Sequence, residues 1–161
     1  AERCKMFGMT TVGISDGRTK GPFLDDVLPR KRLVAAAGRA DFLVLLVPYS
    51  PATHNLINRD VIAAMKPTAF LINLARGGVL DQDALIEHLQ AGKIAGAGLD
   101  VFPTQPLPKD NPLWTMPNVI ITPNIGGRSD RFVEQTLTVL EPNLAAYKEG
   151  RLKDLRNIIA H

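Results

Sequence analysis

Short apolar runs alternate with amphipathic segments along the chain, the rhythm of strands alternating with helices. Residues 10–15 (TTVGIS) form a β-rich apolar run that predicts a strand, closed by a turn at Asp16-Gly17-Arg18. Residues 21–29 hold two prolines and read as a loop, and residues 31–38 predict a short helix ending at Gly38. Residues 41–48 (DFLVLLVP) are continuously apolar, as expected of a strand buried on both faces of a parallel sheet. After a polar loop opening at Pro51, Asn58 is a good N-cap for a helix over 59–65 that Pro67 ends. Residues 69–74 (AFLINL) predict the next strand, Asp81 a cap for a helix over 82–90, and residues 94–101 (IAGAGLDV) a strand whose glycines point to close backbone approach. A Pro-rich loop over 102–111 precedes a strand at 119–122, and residues 129–149 predict a long amphipathic helix interrupted by Pro142. The first eight residues read as the end of a helix with Gly8 at C′, so the chain is expected to start partway through a fold.

Strands alternating with helices through short connections predict βαβ units and an α/β, doubly wound parallel sheet with helices on both faces. A Rossmann-type strand order is compatible with this pattern but does not follow from it. The chain has 161 residues, enough for one domain with a real core and short for two.

Composition narrows the function classes. Hydrophobic residues make up 45% and charged residues 22%, ordinary for a globular protein. The net charge of +3 is mild and the basic residues are scattered apart from Arg30-Lys31-Arg32, so no nucleic-acid footprint is read. Cys4 is the only cysteine, which rules out an internal disulfide, and no Cys/His spacing resembles a zinc site. A reduced, cytoplasmic compartment fits best, with no membrane span and no signal peptide.

Three predicted strands end in loops that each carry one polar side chain: Arg76, Gln105 and Asn124. Loops at the carboxyl ends of parallel strands build the binding crevice of an open α/β sheet. Arg76, in NLARGGVLD, is held between a strand end and two glycines and suits a two-point clamp on a carboxylate. An isolated arginine would more simply be a surface ion-pair partner; the sheet-edge context favours the clamp. Asp100, in GAGLDVF, ends an apolar strand and needs hydrogen-bond donors, either as a helix cap or toward a ligand amide. Gln105, in PTQPLP, lies between proline turns, and its plainer role is a loop brace. Asn124, in TPNIGG, can bond a carbonyl or hydroxyl oxygen but does not exchange a proton near neutrality.

Together NLARGGVLD, GAGLDVF, PTQPLP and TPNIGG, with Pro48 before PATHNLIN and PLW at 112–114, resemble the D-isomer-specific 2-hydroxyacid dehydrogenases over almost the whole chain. The resemblance implies a Rossmann-type dinucleotide domain, here lacking its first strand and the GxGxxG phosphate loop. It implies a partial dinucleotide-binding domain over 1–140, and a segment over 141–161 that returns toward a substrate domain. It also implies an oxidoreductase that moves a hydride between nicotinamide and a small 2-hydroxy or 2-keto acid, and a homodimer. Arg76 would bind the substrate's carboxylate and carbonyl. Pro48, Leu74, Ala75, Arg76, Asp100 and Asn124 would line the cofactor site, with Gly126 and Gly127 packed close to it. Ser15 stands at the position of the family's acidic ribose ligand and Asp16 follows, which favours NAD; Arg18 nearby keeps NADP open.

The departures carry equal weight. The family's proton carrier is a histidine oriented by a glutamate, and those positions are Asn124 and Gln105 here. His54, His88 and His161 lie outside the motif, with His88 expected on the exposed face of its helix and His161 terminal; none is expected to substitute. Three readings remain: an NAD(P)-dependent reductase with altered chemistry, a catalytically silent dinucleotide-binding module, or an inactive fragment.

Overall fold

The computed structural model describes residues 1–158. It divides into two compact units, residues 1–124 and a second that begins at Ile125. In the first, a short helix α1 (Glu2–Met6) ends through Gly8, whose φ of +75° places it in the left-handed region that glycine tolerates. Strands β1 (Val12–Ile14) and β2 (Asp26–Leu28) then pair in parallel as a two-stranded sheet. The β2 strand falls inside the segment expected to be a loop. Its prolines lie outside the paired residues, and three residues are too few to show a period.

Asp25 ties this small sheet to α1. Its carboxylate accepts from Lys5 Nζ at 2.8 and 3.0 Å and from the Thr11 amide at 2.7 Å. These donors, the lysine first, lower its pKa from 3.8 to about 2.

The second sheet carries the core. Helix α2 (Leu33–Ala37) leads into β3 (Phe42–Leu45), α3 (Arg59–Ala63), β4 (Phe70–Asn73), α4 (Gln82–Gln90), β5 (Gly96–Leu99) and β6 (Val119–Ile121). Strands β3-β4-β5-β6 lie in that order, all parallel. The two sequence-marked caps form: the Asn58 side chain accepts from Val61 N at 3.1 Å and Asp81 from Ala84 N at 3.0 Å.

Register explains the burial pattern. Leu43, Leu45, Leu71, Ala97 and Leu99 point into the core with Val61, Ile62 and Leu85 from α3 and α4, which pack on each other. The alternate positions form rows across the other face: Phe42 beside Phe70 and Phe70 beside Gly96, then Val44 beside Ile72, Ile72 beside Gly98 and Gly98 beside Ile120. The strand expected to be buried on both faces is therefore buried on one, with Phe42 52% and Val44 43% exposed. The Phe42 and Phe70 rings stack at 5.8 Å. A Cβ at Gly96 would stand 3.0 Å from the Phe70 ring and 2.5 Å from the Asn118 carbonyl, the close approach its glycine was read to mark.

In the second unit a turn precedes helix α5 (Phe132–Lys148), which contains Pro142. No described helix is long and apolar enough to cross a membrane.

Candidate functional site

The carboxyl ends of β3 and β4 open into a cavity of about 910 Å³, lined by Leu46, Val47, Pro48, Leu74, Ala75 and Arg76, with Tyr49, His54, Gly78 and Pro103. Behind the Arg76 turn stands a residue that the sequence reading did not single out. Asn73 ends β4 fully buried; its Oδ1 accepts from the Ala75 amide at 3.0 Å and its Nδ2 donates to the Arg76 carbonyl at 3.3 Å. One side-chain amide thus pairs the buried Ala75 amide and adds a second donor to the Arg76 carbonyl, which also accepts from the Val79 amide at 3.2 Å. A lone polar residue inside AFLINL was the available signal.

Arg76 follows in extended backbone, at the N-cap of a 3-10 turn over Gly77–Val79. Its Nη1 donates to the Ala75 carbonyl at 2.7 Å, which folds the side chain back over the cavity wall. Gly77 is required by contact. A Cβ there would stand 1.9 Å from the Phe102 carbonyl carbon, so the arginine turn rests directly on the backbone that leaves β5. At Gly78 a Cβ would stand 2.6 Å from the Tyr49 ring.

Asp100 is buried behind this turn. Its amide donates to the Asn73 carbonyl at 3.1 Å, and among its carboxylate's partners is Thr122 Oγ1 at 2.5 Å. Asp100 therefore braces β5 against the loop that leaves β6, and does not cap a helix through that contact. Gln105 and Asn124 are exposed and are not among the residues lining the cavity. Asn124 has φ +55° and Gln105 precedes Pro106 through a cis peptide bond. Gly126 and Gly127 belong to the second unit, where a Cβ at Gly127 would meet nothing within 4 Å.

Ser15 and Asp16 sit at the carboxyl end of β1. The Ser15 amide donates to the Leu28 carbonyl at 2.9 Å. Asp16 accepts from the Arg30 amide at 2.7 Å and pairs with the Arg30 guanidinium at 3.4 Å. Arg30 Nη1 also reaches the Ala52 carbonyl at 3.4 Å, so one arginine links the end of β1 to the rim of the cavity.

The histidines depart from expectation. His88 is buried, with Nδ1 2.7 Å from the Ala84 carbonyl, because its position on α4 turns toward the core rather than solvent. His54 lines the cavity beside Arg76. His161 lies outside the described residues. Among the described residues no group of His, Cys, Asp and Glu could hold a metal ion.

Comparison with known proteins agrees with this arrangement. Residues 1–126 match the family model for the NAD binding domain of D-isomer specific 2-hydroxyacid dehydrogenases. Glyoxylate/hydroxypyruvate reductase B of Pectobacterium carotovorum is 45% identical over 115 residues, 71% of this chain and 36% of that protein. A solved D-isomer specific 2-hydroxyacid dehydrogenase family protein from Aeromonas salmonicida superposes with a TM-score of 0.82 at 33% identity, covering 91% of this chain and 46% of that one. The NADPH-dependent glyoxylate/hydroxypyruvate reductase of Sinorhizobium meliloti, solved with NADP and malonate, superposes with a TM-score of 0.77 at 34% identity, covering 91% of this chain and 45% of that one. The chain spans less than half the length of the curated relatives it matches. Motifs, parallel sheet and matched residues agree: the chain belongs to the D-isomer specific 2-hydroxyacid dehydrogenases and matches their NAD binding domain over residues 1–126.

Proposed function

We propose that the complete gene product reduces a small 2-keto acid of the glyoxylate or hydroxypyruvate class with NADH or NADPH, and that Arg76 binds the acid's carboxylate. The observation that carries this reading is the Arg76 turn. Buried Asn73 and glycine contacts hold it at the mouth of a cavity whose other walls are largely apolar. Such a turn presents a fixed planar donor to a planar anion, where two parallel bonds form.

The residues present fit the nicotinamide end of a dinucleotide. Leu46, Val47, Pro48, Leu74 and Ala75 offer apolar wall for a flat ring, and Asp100 and Thr122 fix the backbone behind it. The bound dinucleotide supplies the hydride. Arg76 orients the acid, and Asn124 and Gln105 contribute amide hydrogen bonds without titrating. Ser15 and Asp16 stand at the ribose end and lean the preference to NAD, with NADP open through Arg18. The segment from residue 141, whose residues 159–161 lie outside the described residues, is inferred to return toward a substrate domain, and the assembly to be a homodimer in the cytoplasm.

Assay of the complete gene product against glyoxylate, hydroxypyruvate and pyruvate tests this. Turnover of at least one is expected, with Arg76→Gln lowering kcat/KM by about 100-fold. The paired amides at 105 and 124 favour a second reading, a silent dinucleotide-binding module. Dinucleotide binding by calorimetry without turnover of any keto acid would establish that reading instead.

A further inference from the structure

One pair in the cavity has no role in the reading above. Tyr49 Oη lies 3.3 Å from His54 Nδ1, and the rings meet edge to face with centroids 6.0 Å apart. Both side chains line the same cavity as Arg76.

Local structure builds this placement. Buried Thr53 donates its hydroxyl to the Pro48 carbonyl at 2.8 Å and accepts from the Ser50 amide at 2.7 Å, which closes the turn between Tyr49 and His54. Asn55 then adopts φ +47°, and its amide donates to the Gly78 carbonyl at 2.9 Å. The Ile57 amide follows with a bond to Val79 O at 3.0 Å. Residues 54–57 are thereby strapped alongside the turn that follows Arg76. Gly78 leaves the room that the Tyr49 ring occupies.

We propose that His54 is the proton donor of this site in place of Asn124, with Tyr49 as its positioning residue. The proposal rests on the keto-acid reading above. Tyr49 occupies Nδ1, which leaves Nε2 as the nitrogen available to a substrate. An imidazole ionises near neutrality, and the Asn124 amide does not. With the carboxylate on Arg76, the carbonyl carbon gains a hydride from the reduced dinucleotide and the C–O π pair moves onto oxygen. A new O–H bond forms as the His54 Nε2–H bond breaks. The imidazole is left neutral and regains its proton from water, since His54 is exposed. Among the described residues, the titratable and charged groups lining this cavity are Tyr49, His54 and Arg76. Arg30 approaches from the neighbouring turn through Ala52.

The test needs no dinucleotide. The chain is labelled at histidine and amide positions, and His54 is assigned with His54→Gln. Its ring signals are titrated with pH in the absence and presence of oxamate, an unreactive keto-acid analogue with a carboxylate and an adjacent carbonyl. The His54 midpoint is expected to rise by about one pH unit on binding, because an adjacent anion and an acceptor oxygen both favour the imidazolium. His88 is expected to stay still. Tyr49→Phe should reduce the His54 shift to less than half while the amides of residues 75–79 still respond. If those amides respond and His54 does not, the proposal is overturned and the keto-acid reading survives. If neither responds, both fail. A full shift retained in Tyr49→Phe removes Tyr49 from its role.

Discussion

The carboxyl end of β4 and the loops that leave β5 and β6 belong to one sheet edge and are built in opposite ways. At β4 the arginine proposed to bind the acid follows a fully buried asparagine and precedes a glycine seated on the Phe102 backbone. Beyond β5 and β6, Gln105 and Asn124 stand exposed on loops. Core packing fixes the side proposed to bind the carboxylate, whereas Gln105 and Asn124 sit where substitution disturbs little packing. Both positions at which the resemblance implies an amide in place of a proton-relay residue are on the exposed side. A site of this construction can change its chemistry and keep its binding geometry.

Substitutions on the two sides should differ accordingly in stability. Gly77→Ala is expected to have the largest effect. Its new methyl would overlap backbone rather than a mobile side chain, with a loss of about 3 kcal/mol or more in urea unfolding. Asn73→Ala should follow at about 2 kcal/mol, because the buried Ala75 amide loses its acceptor and a fully buried side chain is truncated. Equal stability of the Asn73→Ala protein would break the contrast. Asp81→Ala removes the α4 cap and should lower stability by about 1 kcal/mol. On the exposed side, Asn124→Gly should change stability by about 0.5 kcal/mol or less, in the stabilising direction, since it relieves a left-handed backbone at little cost. A loss at Asn124 as large as that at Asn73 would show that the loop is built into the core after all.

The smallest effect concerns pH. Asp25 has its pKa lowered, so its contribution is complete above the ordinary carboxylate range and fades as pH falls from near 3.8 toward about 2. Amide exchange at Thr11 should rise across that window, and Asp25→Asn should remove the pH dependence. The pair with Lys5 is exposed, so the change should stay local to β1, β2 and α1.

Much of this contrast is legible in the sequence. The Asn58 and Asp81 caps, the glycine-held Arg76 and the alternation of strands with helices follow from local chemistry that acts over a few residues. The helix over 82–90 forms with its expected limits. Other features depend on partners distant in the chain. The β2 strand exists because β1 lies beside it, and three paired residues leave no periodic signature. Continuous hydrophobicity over 41–48 gives no sign that one face of β3 stays exposed, since that depends on what packs there. His88 looks polar by type yet points inward, with its Nδ1 against the carbonyl one turn back. The partnership of His54 with Tyr49 requires the Ser50–Thr53 turn to close, and that turn sets side-chain directions which spacing alone does not specify.

The most direct test of the account is a crystal structure of the chain soaked with oxamate. The carboxylate is expected on the Arg76 guanidinium with two bonds of about 2.8 Å, and the carbonyl oxygen on the side of the cavity that holds Tyr49 and His54. Ordered oxamate elsewhere at the sheet edge, with Arg76 still folded onto the Ala75 carbonyl and making no contact to it, would contradict the claim that this turn is a carboxylate site.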